Sequence, residues 1–298
     1  MSVREGQTFG GVSRVVRYAN FVKLPHTLFA LPFALVGVVL ASYHAPITLR
    51  EVLWIVLAFT AARFAAMGFN RIVDREIDAR NPRTRMREIP SGALGVMEAT
   101  AAVIVASVLF FVSAYELNWL CLVLAPVALA WVFFYSYTKR FTRWSHVVLG
   151  IGLSIAPVGG YLAITGHWAR PWWMLCFLAI AVATWVAGFD ILYALQDVEF
   201  DRANALHSVP VRSGEQRALL IARLMHFATV ASLTAVGFAA GAGLIYAFGV
   251  VIATSLLLYE HTLVRAGDLS KLDAAFFTMN GVISIVYFVF VFAERIAS

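Results

Sequence analysis

Long apolar segments separated by short polar gaps run along the whole chain. An α-helix needs about 20 mostly apolar residues to cross the hydrocarbon of a bilayer. Between charged breaks and breaks marked by glycine or proline, nine such windows occur, at about 20–42, 51–69, 96–115, 118–138, 145–165, 172–195, 218–239, 243–260 and 274–293. The pattern predicts an all-α, multi-pass membrane protein with nine transmembrane helices around a central cavity.

Basic residues fall almost entirely in alternate gaps between these windows. If the N-terminus is cytoplasmic, 19 of the 23 Lys and Arg residues lie in the N-terminal arm or in cytoplasmic gaps. The opposite gaps hold only Arg50, Arg170 and Arg295, and Arg63 lies within a window. Since cytoplasmic loops of membrane proteins are enriched in Lys and Arg, we expect the N-terminus inside and the C-terminus outside. The net charge of +6 then reflects topology rather than nucleic-acid binding.

Composition agrees with this class. Hydrophobic residues make up 61% of the chain, against roughly 45–50% in soluble domains. Residues 1–17 are basic and polar without the apolar core of a signal peptide, so we interpret them as a short cytoplasmic arm of a single domain, 1–298. Cys121 and Cys176 fall inside apolar windows, which argues against a disulfide or a zinc site.

One gap is unusually rich in charge. The stretch 70–85, NRIVDREIDARNPRTR, holds five arginines, two aspartates and one glutamate. Asp74 and Asp78 are four residues apart, so on a helix their carboxylates share one face, with Asn70 one turn earlier. Mg²⁺ favours such a site, because it takes one or two carboxylates together with phosphate oxygens. The alternative is a solvated helix end whose acids pair with neighbouring arginines, namely Arg71, Arg75 and Arg83.

A second acidic pair repeats the first. Asp197 and Asp201 end the sixth window, and each lies 123 residues after its counterpart, Asp74 or Asp78. This spacing indicates an internal repeat of a four-helix unit. Four carboxylates near a low-dielectric region repel one another unless cations are bound. Two facing pairs could therefore hold two Mg²⁺ ions across a diphosphate.

Several basic residues lie at the same predicted level of the membrane. Arg63 is seven residues before Asn70 and within a window, where an unpaired cation is costly, so we expect it to face an interior cavity. Lys139 and Arg140 end the fourth window and Lys23 opens the first. These cations could neutralise a diphosphate together with Mg²⁺. For Lys23, Lys139 and Arg140, anchoring to lipid headgroups is the alternative.

The combined pattern resembles the UbiA superfamily of intramembrane prenyltransferases over essentially the whole chain. This resemblance includes the stretch YSYTKRFTRWSHVVLG. It is closest to the bacterial branch called 4-hydroxybenzoate polyprenyltransferase-like, because of NRIVDREIDARNPRT and YALQDVEFDRANALHSVP. The first motif of the family usually reads N-D-x-x-D-x-x-x-D, whereas Arg71 here stands in place of its first acid. The residues that carry the resemblance are Arg63, Asn70, Asp74, Asp78, Lys139, Arg140, Asp190, Tyr193, Asp197 and Asp201.

This resemblance implies Mg²⁺-dependent transfer of a polyprenyl group from polyprenyl diphosphate to an aromatic acid, in ubiquinone or menaquinone biosynthesis at the bacterial inner membrane. The active site would face the cytoplasm. The metal ligands would be Asn70, Asp74, Asp78, Asp197 and Asp201, and the diphosphate would contact Arg63, Lys139, Arg140, Asn70 and Lys23. Departure of the diphosphate would leave an allylic cation, which aromatic faces can stabilise. The candidates by spacing are Phe64, Phe69, Tyr135, Phe189 and Tyr193.

The acceptor ring reacts best as a phenolate, so a base is needed. Asp190, seven residues before Asp197 and deeper in the window, is the first candidate, and the resemblance implies the same role. Tyr193 would then hydrogen-bond the ring hydroxyl or the diphosphate. A salt bridge from Asp190 to Arg63 is the alternative. Other candidate bases are His26, His146 and His207.

Two further functions fit parts of this pattern. Secondary transporters also have internal repeats and buried charges, but they place them near the bilayer midplane. A different acceptor within the family is the second possibility, such as a hydroxynaphthoate of a menaquinone route, haem or a chlorophyllide.

Overall fold

The computed structural model describes residues 13–269, 272 and 278–298, without the side chains of 15 and 24–29. Most of the predicted N-terminal arm and the start of the ninth window, residues 274–277, lie outside the described residues. The described helices are α1 (Arg14–Phe21), α2 (Leu24–Ala41), α3 (Leu49–Val73), α4 (Arg75–Arg80), α5 (Val96–Leu117), α6 (Trp119–Thr138), α7 (Ser145–Thr165), α8 (Trp173–Tyr193), α9 (Val198–Ala203), α10 (Val209–Ser213), α11 (Glu215–Ala240), α12 (Leu244–Leu263) and α13 (Asn280–Ala297). A 3₁₀ turn, Ala194–Asp197, joins α8 to α9.

Eight helical stretches of the described residues are long and apolar enough to cross a membrane. They correspond to α3, α5, α6, α7, the α8–α9 unit, α11, α12 and α13. The prediction of an all-α, multi-pass membrane protein is therefore confirmed. The first predicted window coincides with α2, of which Ala30–Ala41 forms a shorter apolar helix. The number nine stays a prediction.

Local signals set where these helices begin and end. Thr48 and Glu51 form a capping box at the start of α3, so that two backbone N–H groups find side-chain acceptors. Asn118 accepts the N–H of Cys121 at the start of α6 and donates to the carbonyls of Leu162 and Ala163 at the end of α7. Gly166 ends α7 in the left-handed conformation. These caps place α6 and α7 antiparallel and side by side.

The central helix of the bundle is α8, which packs against α7 on one side and α11 on the other. The interface with α7 is tight at Gly150, where a Cβ atom would overlap the carbonyl oxygen of Ala183. Trp185 is almost fully buried, and its ring packs at a tilt against Phe33 of α2, with 4.6 Å between the ring centroids. The buried core thus fixes the end of α8, from which functional side chains project.

Polar contacts join the helices at both ends of the bundle. At one end Arg295 donates to Ser42, and Arg50 pairs with Glu116. At the other end Arg140 pairs with Asp74 across 66 residues of sequence. The predicted cytoplasmic gaps that contain Asp74, Arg140 and Asp197 therefore lie at one end of the molecule, since Arg83 of the first gap also pairs with Asp197. Which side each end faces stays a prediction.

Candidate active site

A polar cavity of about 160 Å³ opens at the end of the bundle that carries the acidic pairs. Its walls come from three stretches of sequence, within 70–87, 135–140 and 190–206. Nine of the predicted site residues line it, namely Asn70, Asp74, Asp78, Lys139, Arg140, Asp190, Tyr193, Asp197 and Asp201. The two halves of the sequence repeat thus contribute to one cavity.

The first acidic pair straddles a break between two helices. Asp74 ends α3 and precedes α4, so the two carboxylates do not lie on one continuous helix as the sequence predicted. The backbone N–H of Asp78 still donates to the carbonyl of Asp74 at 2.8 Å, which keeps the pair about one turn apart. Asn70 donates to Asp74 Oδ2 at 2.9 Å. Both acids nevertheless line the cavity.

The second acidic pair has the same construction. Asp197 ends the 3₁₀ turn and precedes α9, and Asp201 lies within α9. The backbone angles of Asp197 (φ −102°, ψ 5°) match those of Asp74 (φ −93°, ψ 6°). The repeat predicted from the 123-residue spacing is therefore also a repeat of backbone conformation.

Each of the four carboxylates has one basic partner. Arg140 donates to Asp74 at 2.8 Å, and Arg87 donates to both oxygens of Asp78 at 2.8 and 2.9 Å. Arg83 forms two parallel bonds with Asp197, at 3.0 and 2.6 Å. The fourth pair joins Lys139 Nζ and Asp201 Oδ2 at 3.7 Å. Charge-assisted pairs of this kind fix the geometry of a site as well as its charge.

Asp74 and Asp78 pair with Arg140 and Arg87, which the alternative of a solvated helix end did not name. Arg71 lies 3.4 Å from Glu88, and Arg75 pairs with Glu76 at an exposed position. Arg83 pairs with Asp197, 114 residues away. The partners found here come from α6 and from the segment that follows α4, because those elements fold over the cavity.

Arg83 and Arg87 are the functional candidates that the sequence analysis missed. Both belong to the segment NPRTRMREIPSG, residues 81–92, after α4. Arg83 also donates to the hydroxyl of Tyr193 at 3.0 Å and lies over its ring. A basic segment between two acidic motifs was a usable signal, but its partners could not be assigned from spacing alone.

The charges that line the cavity shift the pKa values of Lys139 and Asp74, which lie just outside the membrane-spanning segments. Burial alone would lower the pKa of Lys139, but the carboxylates of Asp201, Asp197 and Asp190 outweigh it and the net pKa is raised. Burial raises the pKa of Asp74, Asp78 adds to this effect, and Arg140 opposes it. A cation bound between the acids would favour their charged forms.

Asp190 lines the cavity but does not pair with Arg63. Its Oδ2 atom lies 2.6 Å from Nδ1 of His146 on α7. The alternative of an Asp190–Arg63 salt bridge is therefore wrong. His146 is fully buried and is not among the cavity-lining residues, and His207 is exposed and also outside the lining. The side chain of His26 lies outside the described residues.

Some of the predicted residues do not line the cavity. Arg63 and Lys23 are not among the described residues that line it. Arg63 Nε is buried without a hydrogen-bond partner in the described part of the chain. Of the aromatic candidates, Tyr135 and Tyr193 line the cavity, while Phe69 stacks on Phe133. Phe64 packs against Tyr18 and Phe21, and Phe189 against Trp185.

The donor set suits a hard cation that a ligand helps to hold. Among the described residues, no three His, Cys, Asp or Glu side chains converge on one point, so a cation would need further oxygen donors. The available protein donors are oxygens, which Mg²⁺ prefers and zinc does not. Asp201 Oδ2 is buried and accepts no hydrogen bond from the residues that the structure describes. A bound cation would satisfy this oxygen.

Comparison with known proteins places the chain in a family. The sequence profile of the UbiA prenyltransferase family matches residues 30–282. A 4-hydroxybenzoate octaprenyltransferase from Nitrosospira multiformis is 30% identical over 277 residues, which are 92% of this chain and 94% of that protein. A protein of the same name from Shewanella woodyi is 28% identical over 266 residues, 89% of this chain and 91% of that one.

Solved structures share the fold. The apo structure of a UbiA homolog from Aeropyrum pernix K1 matches with a TM-score of 0.82 and 33% identity, over 90% of this chain and 98% of that chain. A UbiA homolog from Archaeoglobus fulgidus bound to GPP and Mg²⁺ matches with a TM-score of 0.70 over 95% and 100% of the chains, and at 19% identity this likeness shows the fold alone. From the match over residues 30–282 and the shared fold, the chain belongs to the UbiA prenyltransferase family and is an integral-membrane prenyltransferase.

Proposed function

We propose that the protein transfers a polyprenyl group from polyprenyl diphosphate to a hydroxylated aromatic acid similar to 4-hydroxybenzoate. The observation that carries this proposal is that four aspartates face four basic side chains within one cavity. Such a cavity can bind a diphosphate and its counter-ions together. The relatives that are 28–30% identical over most of their length are named for this acceptor.

Mg²⁺ is the cofactor that we propose. The homolog from Archaeoglobus fulgidus was solved with GPP and Mg²⁺, and the donors here are carboxylate and amide oxygens. The residues that would hold the metal are Asn70, Asp74, Asp78, Asp197 and Asp201. When bound, it would act as a Lewis acid that stabilises negative charge on the departing diphosphate.

The basic residues would contact the diphosphate directly. Arg83, Arg87 and Arg140 now hold carboxylates, and an arginine fork binds phosphate in the same two-pronged manner. Lys139 would add a point charge next to Asp201. These groups stabilise a leaving group as charge develops on it. Arg63 and Lys23 keep their proposed diphosphate role, although neither lines the cavity.

Asp190 is the base that we propose for the acceptor hydroxyl. It lines the cavity beside Tyr193, and the same cavity contains Tyr135. A carboxylate at this place can take the hydroxyl proton and leave a phenolate, which attacks the prenyl carbon more readily. Tyr193, already bonded to Arg83, would orient the acceptor or the diphosphate.

We also propose which side of the membrane the cavity faces and which pathway uses the product. The basic residues of alternate gaps gather at the cavity end, so by the positive-inside rule this end faces the cytoplasm of a bacterial inner membrane. The product would serve ubiquinone or menaquinone biosynthesis. A hydroxynaphthoate acceptor of a menaquinone route is the alternative within the family.

The test is an acceptor panel on membranes that contain the protein, with labelled polyprenyl diphosphate and Mg²⁺. The panel includes 4-hydroxybenzoate, a hydroxynaphthoate and a benzoate that lacks the hydroxyl group. We expect labelled product with a hydroxylated acid and none with the plain benzoate. Uptake of the labelled substrate without any product would instead favour a transporter.

A further inference from the structure

His146 and Asp190 form a buried pair between α7 and α8. His146 is the second residue of α7 and is fully buried, while Asp190 lies near the end of α8 and lines the cavity. Their Nδ1 and Oδ2 atoms are 2.6 Å apart. The tight contact of Gly150 with Ala183 brings the two helices close, one turn after His146 on α7.

The contact of the second ring nitrogen of His146 indicates which nitrogen carries the proton. The backbone N–H of Val209 donates to His146 Nε2 at 3.4 Å. A backbone N–H can only donate, so Nε2 must be the acceptor of the neutral ring. The ring proton therefore lies on Nδ1 and is donated to Asp190. Of the imidazole states, the neutral ring with this proton is the one that satisfies both contacts.

The pair leaves one oxygen of Asp190 for a ligand. Oδ2 accepts from His146, while Oδ1 takes no hydrogen bond from the described residues. A carboxylate that accepts a fixed N–H is held in one orientation. The arrangement resembles a general base that is oriented by a third group.

We propose that His146 is a positioning residue, which holds Asp190 so that its free oxygen can accept the proton of the aromatic acceptor's hydroxyl. The inference rests on the proposed function, because it names the device that prepares the base of that reaction. His146 itself does not touch the substrate. The contact with Val209 makes the segment after α9 part of the same device, and the neighbouring His207 N–H also binds the carbonyl of Lys139 at 2.8 Å.

The reaction balances with this assignment. The hydroxyl proton passes to Asp190, the bond between the prenyl carbon and the diphosphate oxygen breaks, and a bond forms between that carbon and a carbon of the ring. Diphosphate leaves with the electron pair of the broken bond. The ring carbon then loses its own proton, which restores aromaticity, and the ring oxygen recovers a proton. The net change is transfer of the prenyl group with release of one proton.

The test compares two substitutions of similar size. His146→Asn keeps an N–H donor near the position of Nδ1, whereas His146→Leu has no donor. We expect His146→Leu to lower kcat for aromatic transfer about 10²-fold, the size of a typical general-base effect, and His146→Asn to stay within about fivefold of wild type. Both variants should keep wild-type affinity for the polyprenyl diphosphate and wild-type release of diphosphate in the absence of acceptor.

A double-variant cycle separates positioning from a purely structural role. If His146 acts through Asp190, then His146→Leu should cost little further activity in an Asp190→Asn background. Additive losses, equal losses for His146→Asn and His146→Leu, or full activity of His146→Leu would each overturn the proposal. If His146→Leu is not recovered as folded protein, His146→Val replaces it. Wild-type protein that prenylates no acceptor would overturn the proposed function instead.

Discussion

The aspartates that line the cavity have exposed acidic neighbours in the sequence that do not line it. Asp74 and Asp78 flank the exposed Glu76, and Asp197 and Asp201 flank the exposed Glu199. The two glutamates are also 123 residues apart and lie outside the cavity lining. Each motif therefore carries its own internal control, an acid of similar chemistry within two residues of the proposed metal ligands.

Replacing any one of the four aspartates with asparagine should lower prenyl transfer by about 10²-fold or more, since electrostatic groups at a leaving group contribute at least this much. Glu76→Gln and Glu199→Gln should keep wild-type turnover. The measurement is initial rate per folded protein at saturating Mg²⁺. Equal activity of the aspartate and glutamate variants would rule out the metal-binding role.

Arg83 offers a second comparison at this scale. Arg83→Gln removes the two-pronged contact with Asp197 and the contact with Tyr193, and we expect weaker binding of polyprenyl diphosphate, by about tenfold. Arg80→Gln is the matched control, because Arg80 is exposed and lies outside the cavity. Titration with a fluorescent diphosphate substrate measures both. Unchanged affinity of Arg83→Gln would remove this residue from the site.

At the scale of helices, spacing in sequence predicted the acidic pairs but not the breaks that carry them. Asp74 and Asp197 lie at helix ends, where their carboxylates bond basic side chains from other segments rather than the backbone. The pairing of Arg83 with Asp197 spans 114 residues, so it depends on how the segment after α4 folds. The His146–Asp190 contact depends on the packing of α7 against α8, which no local pattern encodes.

The packing of α7 against α8 can be tested by replacing glycines of α7 with alanine. Gly150→Ala places a methyl group against the carbonyl of Ala183, and overpacking of this kind typically costs about 1–3 kcal/mol. We expect a lower Tm in detergent and reduced transfer, because α7 would move His146 away from Asp190. Gly152→Ala on the same helix meets only ordinary contacts with Trp131 and Val132 and should change neither. Similar Tm values for both variants would contradict the tight interface.

For the whole molecule, the bundle has two chemically different ends. The predicted topology places Glu199 in the cytoplasm and Trp168, in the loop between α7 and α8, outside. Both side chains are exposed. In a background with Cys121→Ala and Cys176→Ala, a membrane-impermeant maleimide should label Trp168→Cys in right-side-out vesicles and Glu199→Cys only in inside-out vesicles. The reverse pattern would invert the topology.

The central claim is that this cavity performs metal-dependent prenyl transfer. The most direct measurement uses purified protein in liposomes with octaprenyl diphosphate and 4-hydroxybenzoate, followed by mass spectrometry of the lipid extract. We predict a product whose mass equals the acid plus the prenyl group minus one hydrogen, formed with Mg²⁺, abolished by EDTA and restored by added Mg²⁺. Undiminished product in EDTA, or no prenylated product from any hydroxylated aromatic acid, would contradict the account.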